Sequence, residues 1–422
     1  MAKNQPKVLI VSSVKPDAFE AQSTGMGLFM KTLTDELKRR DYPFKLCVLQ
    51  QNRDGSTTYS VDGEVEGEAE STTTINPALP FNNCFESQAI NSAWTLRNAL
   101  KPFLAAFQPD VISVHDSALF MPFYFMAGKV QVTLHNRSLG FAHELDRTHA
   151  GMLHYWEQKI AASKASAMVL HSLQAYTHLR DQVLKIAPPK QQISIFNIGL
   201  DAANYSAKKA THPNGKIRVS YIGSLLDPLQ NFSVFAQTIA LLPQACRNLM
   251  VAQVYTQEDY LSIIPEGIKN TQFKDIEFTT INNSNSNSNS NSNSNSNSNS
   301  NNNSYNNDNN AKKLALTNTD ILHIPSSHES FGLLGLEAML SNCKIIASQG
   351  TGMDSYLEPG SLTPCEPTSM ALKLEAELHQ WAATQQKQAN NDYRQLVDSP
   401  QFSATHMVDN YTTAWLNLAK IS

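Results

Sequence analysis

The sequence predicts an α/β protein of two doubly wound domains whose parallel sheets face a central cleft. Three observations predict it. A continuous apolar run at residues 8–11 leads through a loop with Gly25 and Gly27 into a helical stretch and a second apolar run. The same strand–loop–helix–strand order starts again at residues 219–222. At 422 residues the chain is also too long for one ordinary core and long enough for two.

Residues 8–11 read as a strand buried on both faces, because the run does not alternate with polar residues. A helix over 28–40 and a strand over 44–49 complete the first unit. Residues 51 to about 80, which carry Asp62, Glu64, Glu66, Glu68 and Glu70, interrupt the rhythm as an exposed hairpin or mobile insertion. A helix over 93–107 and strands over 111–114, 130–134 and 168–170 follow, and a first Rossmann-like domain spans 1–203. A polar stretch, 204–216, suits a linker into a second such domain over 204–400. Its strands are 219–222, 249–254, 276–281, 320–324 and 344–347, with helices over 232–242 and 332–340. Residues 282–310 are almost pure Asn and Ser and bury too little apolar surface to offset their ordering entropy, so a disordered surface loop is expected. Helical segments at 369–385 and 404–420 close the chain.

Composition narrows the function. The net charge of −4 supplies no basic field, so nucleic acid is not an expected partner. Cys47, Cys84, Cys246, Cys343 and Cys365 are scattered without a C-x-x-C spacing and read as buried thiols in a reducing compartment, not a disulfide or zinc framework. The start, MAKNQPKVLIVSS, runs directly into a strand, and the longest apolar run, 118–128, is about half a bilayer span; both point to a cytoplasmic protein. Lys31, Lys38, Arg39 and Arg40 offer a peripheral contact with anionic lipid at the inner membrane face. Asp35 and Glu36 interrupt that face, which favours a solvated helix.

The most informative stretch is Ile324-Pro-Ser-Ser-His-Glu329-Ser-Phe331-Gly332-Leu333-Leu-Gly-Leu-Glu337-Ala-Met. A buried strand ends at Ile324, a loop presents Glu329, and a helix starts near Phe331–Gly332 with its free N–H groups at the carboxyl edge of the sheet, a ready anion site. Glu337 lies about one and a half turns into an otherwise apolar helix, where its carboxylate needs donors such as ribose hydroxyls.

The whole run resembles the E-x7-E region of retaining glycosyltransferases of the family 4 type, which have the GT-B fold. The resemblance implies that Glu329 contacts the donor sugar and Glu337 the nucleotide ribose. Ser23-Thr-Gly25-Met-Gly27 is similar to the family's first glycine-rich loop, where backbone amides approach a diphosphate. Residues 108–116, ending at His115 and Asp116, are similar to its strand with a His-containing loop. Val132-Thr-Leu-His135 is similar to the next strand, whose terminal His touches the sugar. Residues 197–201 match the end of its N-terminal domain, and 402–415 its closing helices, so residues 401–422 are expected to cross back to the first domain. No metal and no cofactor are expected beyond the nucleotide-sugar substrate.

The resemblance fails at one place. Arg and Lys usually follow the glycine of the second domain's first strand, yet after Gly223 this chain has Ser224 and Gln230. A bidentate Arg is not replaced by a hydroxyl. Three explanations stay open. Arg137 or Arg218 reaches the site, or the backbone amides around Gly25–Gly27 and Phe331–Leu333 suffice, or donor turnover is lost and the chain serves as a silent binding or scaffolding subunit. The leading expectation is a retaining hexosyltransferase acting on a glycan or lipid-linked hydroxyl acceptor. A dinucleotide oxidoreductase is disfavoured because neither first strand leads into G-x-G-x-x-G.

Overall fold

The structure, a computed structural model, describes residues 5–14, 16, 25–51, 57–62, 71–75, 96–98, 100–135, 149–184, 192–205, 215–264, 273, 275–281, 307–384 and 399–421. The apolar runs of the first half pair into one sheet of β1 (Val8–Ser12), β2 (Phe44–Gln51), β3 (Thr57–Asp62), β4 (Ser71–Ile75), β5 (Val111–His115), β6 (Val130–Thr133), β7 (Ala167–Leu170) and β8 (Gln192–Ile195). Its order is β4-β3-β2-β1-β5-β6-β7-β8. The strands from β2 to β8 in that row are parallel, and β3 and β4 add an antiparallel hairpin at the edge. The second sheet, all parallel, contains β9 (Ile217–Ile222), β10 (Met250–Thr256), β11 (Ile276–Thr280), β12 (Ile321–Ile324), β13 (Lys344–Ser348) and β14 (Leu362–Thr363) in the order β11-β10-β9-β12-β13-β14. In both sheets the strand order reverses beside the first strand, at β1/β5 and β9/β12, and a ligand crevice belongs outside the carboxyl ends at such a reversal.

Every residue of β1 and β5 is buried, the apolar ones and also the polar Ser12, Ser113 and His115. The apolar side chains fall into three clusters. One packs the outer face of the first sheet around Leu9, Ile112 and Phe123, and another the outer face of the second around Val219, Phe235 and Leu374. The third joins the sheets: Val8, Ile10 and Phe29 share it with Leu322, Phe331 and Met339, and with Tyr411 and Trp415 from the last helix, Ala404–Ile421.

That last helix returns to the first sheet. Trp415 Nε1 donates to Gln131 Oε1 at 2.8 Å, Tyr411 OH lies 3.2 Å from Thr133 Oγ1, and Arg40 reaches Asp409 at 2.5 Å. The crossing is close. Leu200 N–H donates to the Phe402 carbonyl at 2.9 Å, and a Cβ on Gly199 would stand 2.1 Å from the Ser403 carbonyl oxygen.

Several expectations need correction. Gly25 and Gly27 do not form a loop; both lie in the first turn of the helix Gly25–Arg39. The Asn-rich tract does not stay irregular through residue 310, because the helix Asn307–Thr317 begins inside it. The helix-forming run Ala311 to Leu316 carries the turn backward. Residues 282–306 and most of the proposed linker, 206–214, lie outside the described residues. The basic face of the first helix is largely paired internally: Lys31 with Asp35 at 2.8 Å, and Arg39 and Arg40 with the buried Glu36. Among the described residues no helix is long and apolar enough to cross a membrane.

Arg218 is the clearest correction. It lies on β9 beneath the surface and grips Asp320 with Nε and Nη2, both at 2.9 Å, while its own N–H donates to the same carboxylate at 3.0 Å. Its job is to hold β9 against the start of β12, and it cannot serve a ligand. Asp320→Ala should therefore cost about 3–5 kcal/mol by stranding a buried guanidinium. Urea unfolding would read this, and a loss under 1 kcal/mol would contradict the assigned role.

Candidate active site

A cavity of about 550 Å³ opens where the carboxyl ends of the two sheets meet, within the size of ordinary small-ligand sites. From the first sheet, Asp116, His135 and His171 follow β5, β6 and β7, and Gly25 and Met26 begin the first helix. From the second come Gly223 and Ser224 after β9, Thr256 at the end of β10 and Glu258 beyond it, and residues 325–326 and 329–334 after β12. Of the sequence-predicted residues, Gly25, His135, Gly223, Glu329, Phe331, Gly332 and Leu333 line it. Gly27 and Glu337 do not.

Two helix N-termini converge here. The helix Leu333–Leu340 is preceded by Gly332 at φ 83°, a left-handed turn that suits glycine, and a Cβ there would stand 2.3 Å from Met353 Cγ. Its first turn meets that of Gly25–Arg39: a Cβ on Gly25 would lie 3.4 Å from Leu333 Cδ1. Both positive dipole ends thus face one cavity. Ser330 stitches the walls together, donating from Oγ to the His135 carbonyl at 3.0 Å and accepting at its own carbonyl from Ser172 Oγ at 2.5 Å. Asp116, at φ 141°, holds a backbone conformation that L-residues seldom adopt, a strain of the kind found at functional sites.

The histidines form a chain. His171 Nδ1 lies 2.9 Å from the Phe196 carbonyl, which only accepts, so that nitrogen carries the hydrogen and Nε2 accepts. His135 Nδ1 then donates to His171 Nε2 at 3.2 Å, His115 Nδ1 to His135 Nε2 at 3.0 Å, and the Ser113 hydroxyl to His115 Nε2 at 3.2 Å. Both ring nitrogens of His135 are therefore engaged within the chain. His135 borders the cavity as a fixed wall. Burial first, then the neighbouring imidazoles, hold His115 down to about 3 and His135 well below its ordinary value; burial lowers His171 to about 4. Sequence reasoning missed His171 and also His323, a cavity-lining histidine on β12 that burial lowers to about 3. Neither ring nitrogen of His323 has a partner among the described residues. The legible signal was a histidine inside or directly after an apolar run.

Where the family-like pattern lacks its cations, the chain ties its own knot. The Glu258 carboxylate accepts from the Ser224 and Thr256 hydroxyls and from Leu225 N–H. Ser224 Oγ in turn accepts from Leu226 and Asp227 N–H, and Ser224 N–H donates to Gln230 Oε1 at 2.6 Å. A Cβ on Gly223 would lie 2.3 Å from that Gln230 oxygen, so a larger residue there would displace the Gln230 side chain. Burial alone would raise the Glu258 carboxyl, but the hydrogen bonds from Ser224 and Thr256 bring it below its ordinary range. The Glu258 charge thus lies at this end of the cavity, with the Ser224 and Thr256 hydroxyls turned toward it.

Glu337 also finds partners within the chain. Its carboxylate accepts from Lys312 Nζ and, at 3.1 Å, from Tyr205 OH. These donors satisfy the carboxylate within the chain, and Lys312 lines the cavity while Glu337 does not. Arg137, the other candidate cation, lies outside the described residues.

No family model matches the chain, and no curated protein matches it in sequence. Solved structures do match. A sucrose-phosphate synthase from Thermosynechococcus elongatus superposes with a TM-score of 0.69 at 14% identity, over 99% of this chain and 100% of that one. The fold is GT-B. An α,α-trehalose-phosphate synthase (UDP-forming) from Burkholderia vietnamiensis gives 0.62 at 12% identity, covering 99% and 100%. The catalytic domain of starch synthase IV from Arabidopsis thaliana, bound to ADP and acarbose, gives 0.61 at 14%, again covering 99% and 100%. At such identities the likeness establishes the two-sheet architecture.

The histidine chain makes a pH prediction. Unfolded, each imidazole takes up a proton near pH 6.5; folded, His115 and His171 stay neutral until about pH 3 and 4. In that window the unfolded chain binds more protons, so stability is full above pH 6.5 and falls as pH drops. Urea unfolding at pH 7.5 and pH 5 should show the loss, and His171→Asn should reduce it. A flat profile for the unaltered protein would refute the neutral chain.

Proposed function

We propose that the protein is a glycosyltransferase that moves a hexosyl unit from a nucleoside diphosphate sugar to a hydroxyl acceptor, with retention of configuration. The carrying observation is that Glu329 and two helix N-termini face a single cavity at the carboxyl ends of both sheets. The fold-mates named as UDP-forming or ADP-bound support the choice of donor class. In this reading the chain divides into domains 1–203 and 204–400, with 401–422 crossing back. The acceptor is a growing surface glycan or lipid-linked saccharide, met in the cytoplasm or at the inner membrane face. No metal or cofactor is required.

The amides at Gly25–Met26 and Leu333–Leu334 take the place of the missing cations. They are fixed in direction before a ligand arrives, so they stabilise charge developing on the leaving diphosphate without reorganisation. Glu329 orients sugar hydroxyls. Glu337 acts at one remove, holding the Lys312 ammonium at the wall as a positioning residue. His135 shapes the sugar end, fixed by His115 and His171.

Calorimetry against UDP, GDP and ADP and their sugar conjugates tests the reading. One nucleotide should bind saturably, and Glu329→Gln should keep that binding while reducing transfer by about 100-fold through lost positioning. Absence of binding by a folded sample to every nucleotide would sink the proposal.

The anionic knot gives a second, opposite-signed test. Glu258→Gln keeps one oxygen for the Thr256 hydroxyl and Leu225 N–H, which share a single carboxylate oxygen, and gives up the acceptor for Ser224 while removing a charge that opposes a diphosphate. Nucleoside diphosphate affinity should rise about tenfold. A fall in affinity would mean that Glu258 contacts the ligand favourably.

A further inference from the structure

On the outer face of the second sheet, away from the cavity, three metal-ligating side chains meet. Cys246 lies on the short helix Gln244–Leu249, and Glu375 and His379 lie one turn apart on the helix Pro367–Thr384 packed against it. Cys246 Sγ is 3.6 Å from His379 Nε2, and that nitrogen is 3.6 Å from Glu375 Oε1. One ligating atom from each residue lies within 4.8 Å of the others. A tetrahedral Zn²⁺ with Zn–S of about 2.3 Å and Zn–N of about 2.05 Å sets sulfur and nitrogen about 3.5 Å apart, close to this spacing. The nearby cations are committed elsewhere: Lys373 to Glu377 at 2.8 Å, and Arg247 to Gln244 at 2.9 Å and Asp275 at 3.9 Å.

We infer that Cys246, Glu375 and His379 form a binding site for a borderline-soft divalent cation of the zinc type. The donor set of one thiolate, one imidazole and one carboxylate suits that ion and not magnesium or calcium, which take oxygen ligands. Three protein ligands leave a fourth position for water, on the side where the His379 and Glu375 side chains are 59% and 33% exposed. Burial, then the Glu375 charge, raises the Cys246 thiol above its ordinary range, so metal binding releases the thiol proton to solvent as the metal–sulfur bond forms. The bound ion pins the short helix to the long one, and because it binds only the folded arrangement it stabilises the domain.

The test is a Co²⁺ titration of the full-length protein after chelator treatment, followed by Zn²⁺ displacement. The expected result is a near-ultraviolet thiolate-to-cobalt charge-transfer band with visible tetrahedral bands, both erased by Zn²⁺. Cys246→Ser should remove the charge-transfer band. His379→Ala, which removes a mostly exposed ring and leaves the core intact, should weaken Zn²⁺ affinity by about 100-fold or more. Its thermal midpoint should no longer rise with Zn²⁺. If the unaltered protein shows no charge-transfer band, Cys246 and His379 share only a sulfur–imidazole hydrogen bond and the inference is overturned. Persistence of the band in Cys246→Ser, or unchanged affinity in His379→Ala, overturns it equally.

Discussion

The structure depends on the burial of one helix face between two sheets. Tyr411 and Trp415 are fully buried, and they sit in the same apolar cluster as β1, the first helix and the helix after β12. Two aromatic rings of that size bring several kcal/mol of apolar burial to a single seam. The seam has a geometric consequence. With the last helix tied to Gln131 and Thr133 and the chain crossing at Gly199, the carboxyl ends of both sheets open onto one cavity. Ser330 then closes the seam with two polar bonds at its rim.

The cavity's electrostatics follow from how each buried polar group is satisfied. A carboxylate beneath a surface needs donors, and this chain supplies them internally: Lys312 and Tyr205 for Glu337, Ser224 and Thr256 for Glu258, Arg218 for Asp320. Satisfying one group commits another, so these three carboxylates and their five donor side chains are engaged with one another. Two helix N-termini and the Glu329 loop face the cavity beside these paired groups.

Much of the fold was legible in the sequence because parallel strands buried on both faces must be continuous apolar runs. Residues 8–11 announced themselves in that way, and 111–114 and 320–324 did so with Ser113, Asp320 and His323 as polar exceptions. The loop from Glu329 to Leu333 was equally legible, since a strand end, a glycine and a helix start within nine residues leave few geometries. The glycines at 25 and 27 were misleading. Glycine signals a turn by its freedom, yet here it allows a helix to begin against Leu333. His171 and His323 were passed over because a lone polar residue near an apolar run has no local partner to reveal its use.

By itself the sequence determined the class of fold, the repeated unit, and the sheet edge at which the cavity opens, because apolar periodicity and turn chemistry are local properties. Only the tertiary structure decided which donors and charges stay available. Glu337 meets Tyr205 across 132 residues, Arg218 meets Asp320 across 102, and Cys246 meets His379 across 133. Such pairings carry no local signature: they depend on where two sheets come to rest, and that is set by the apolar seam between them.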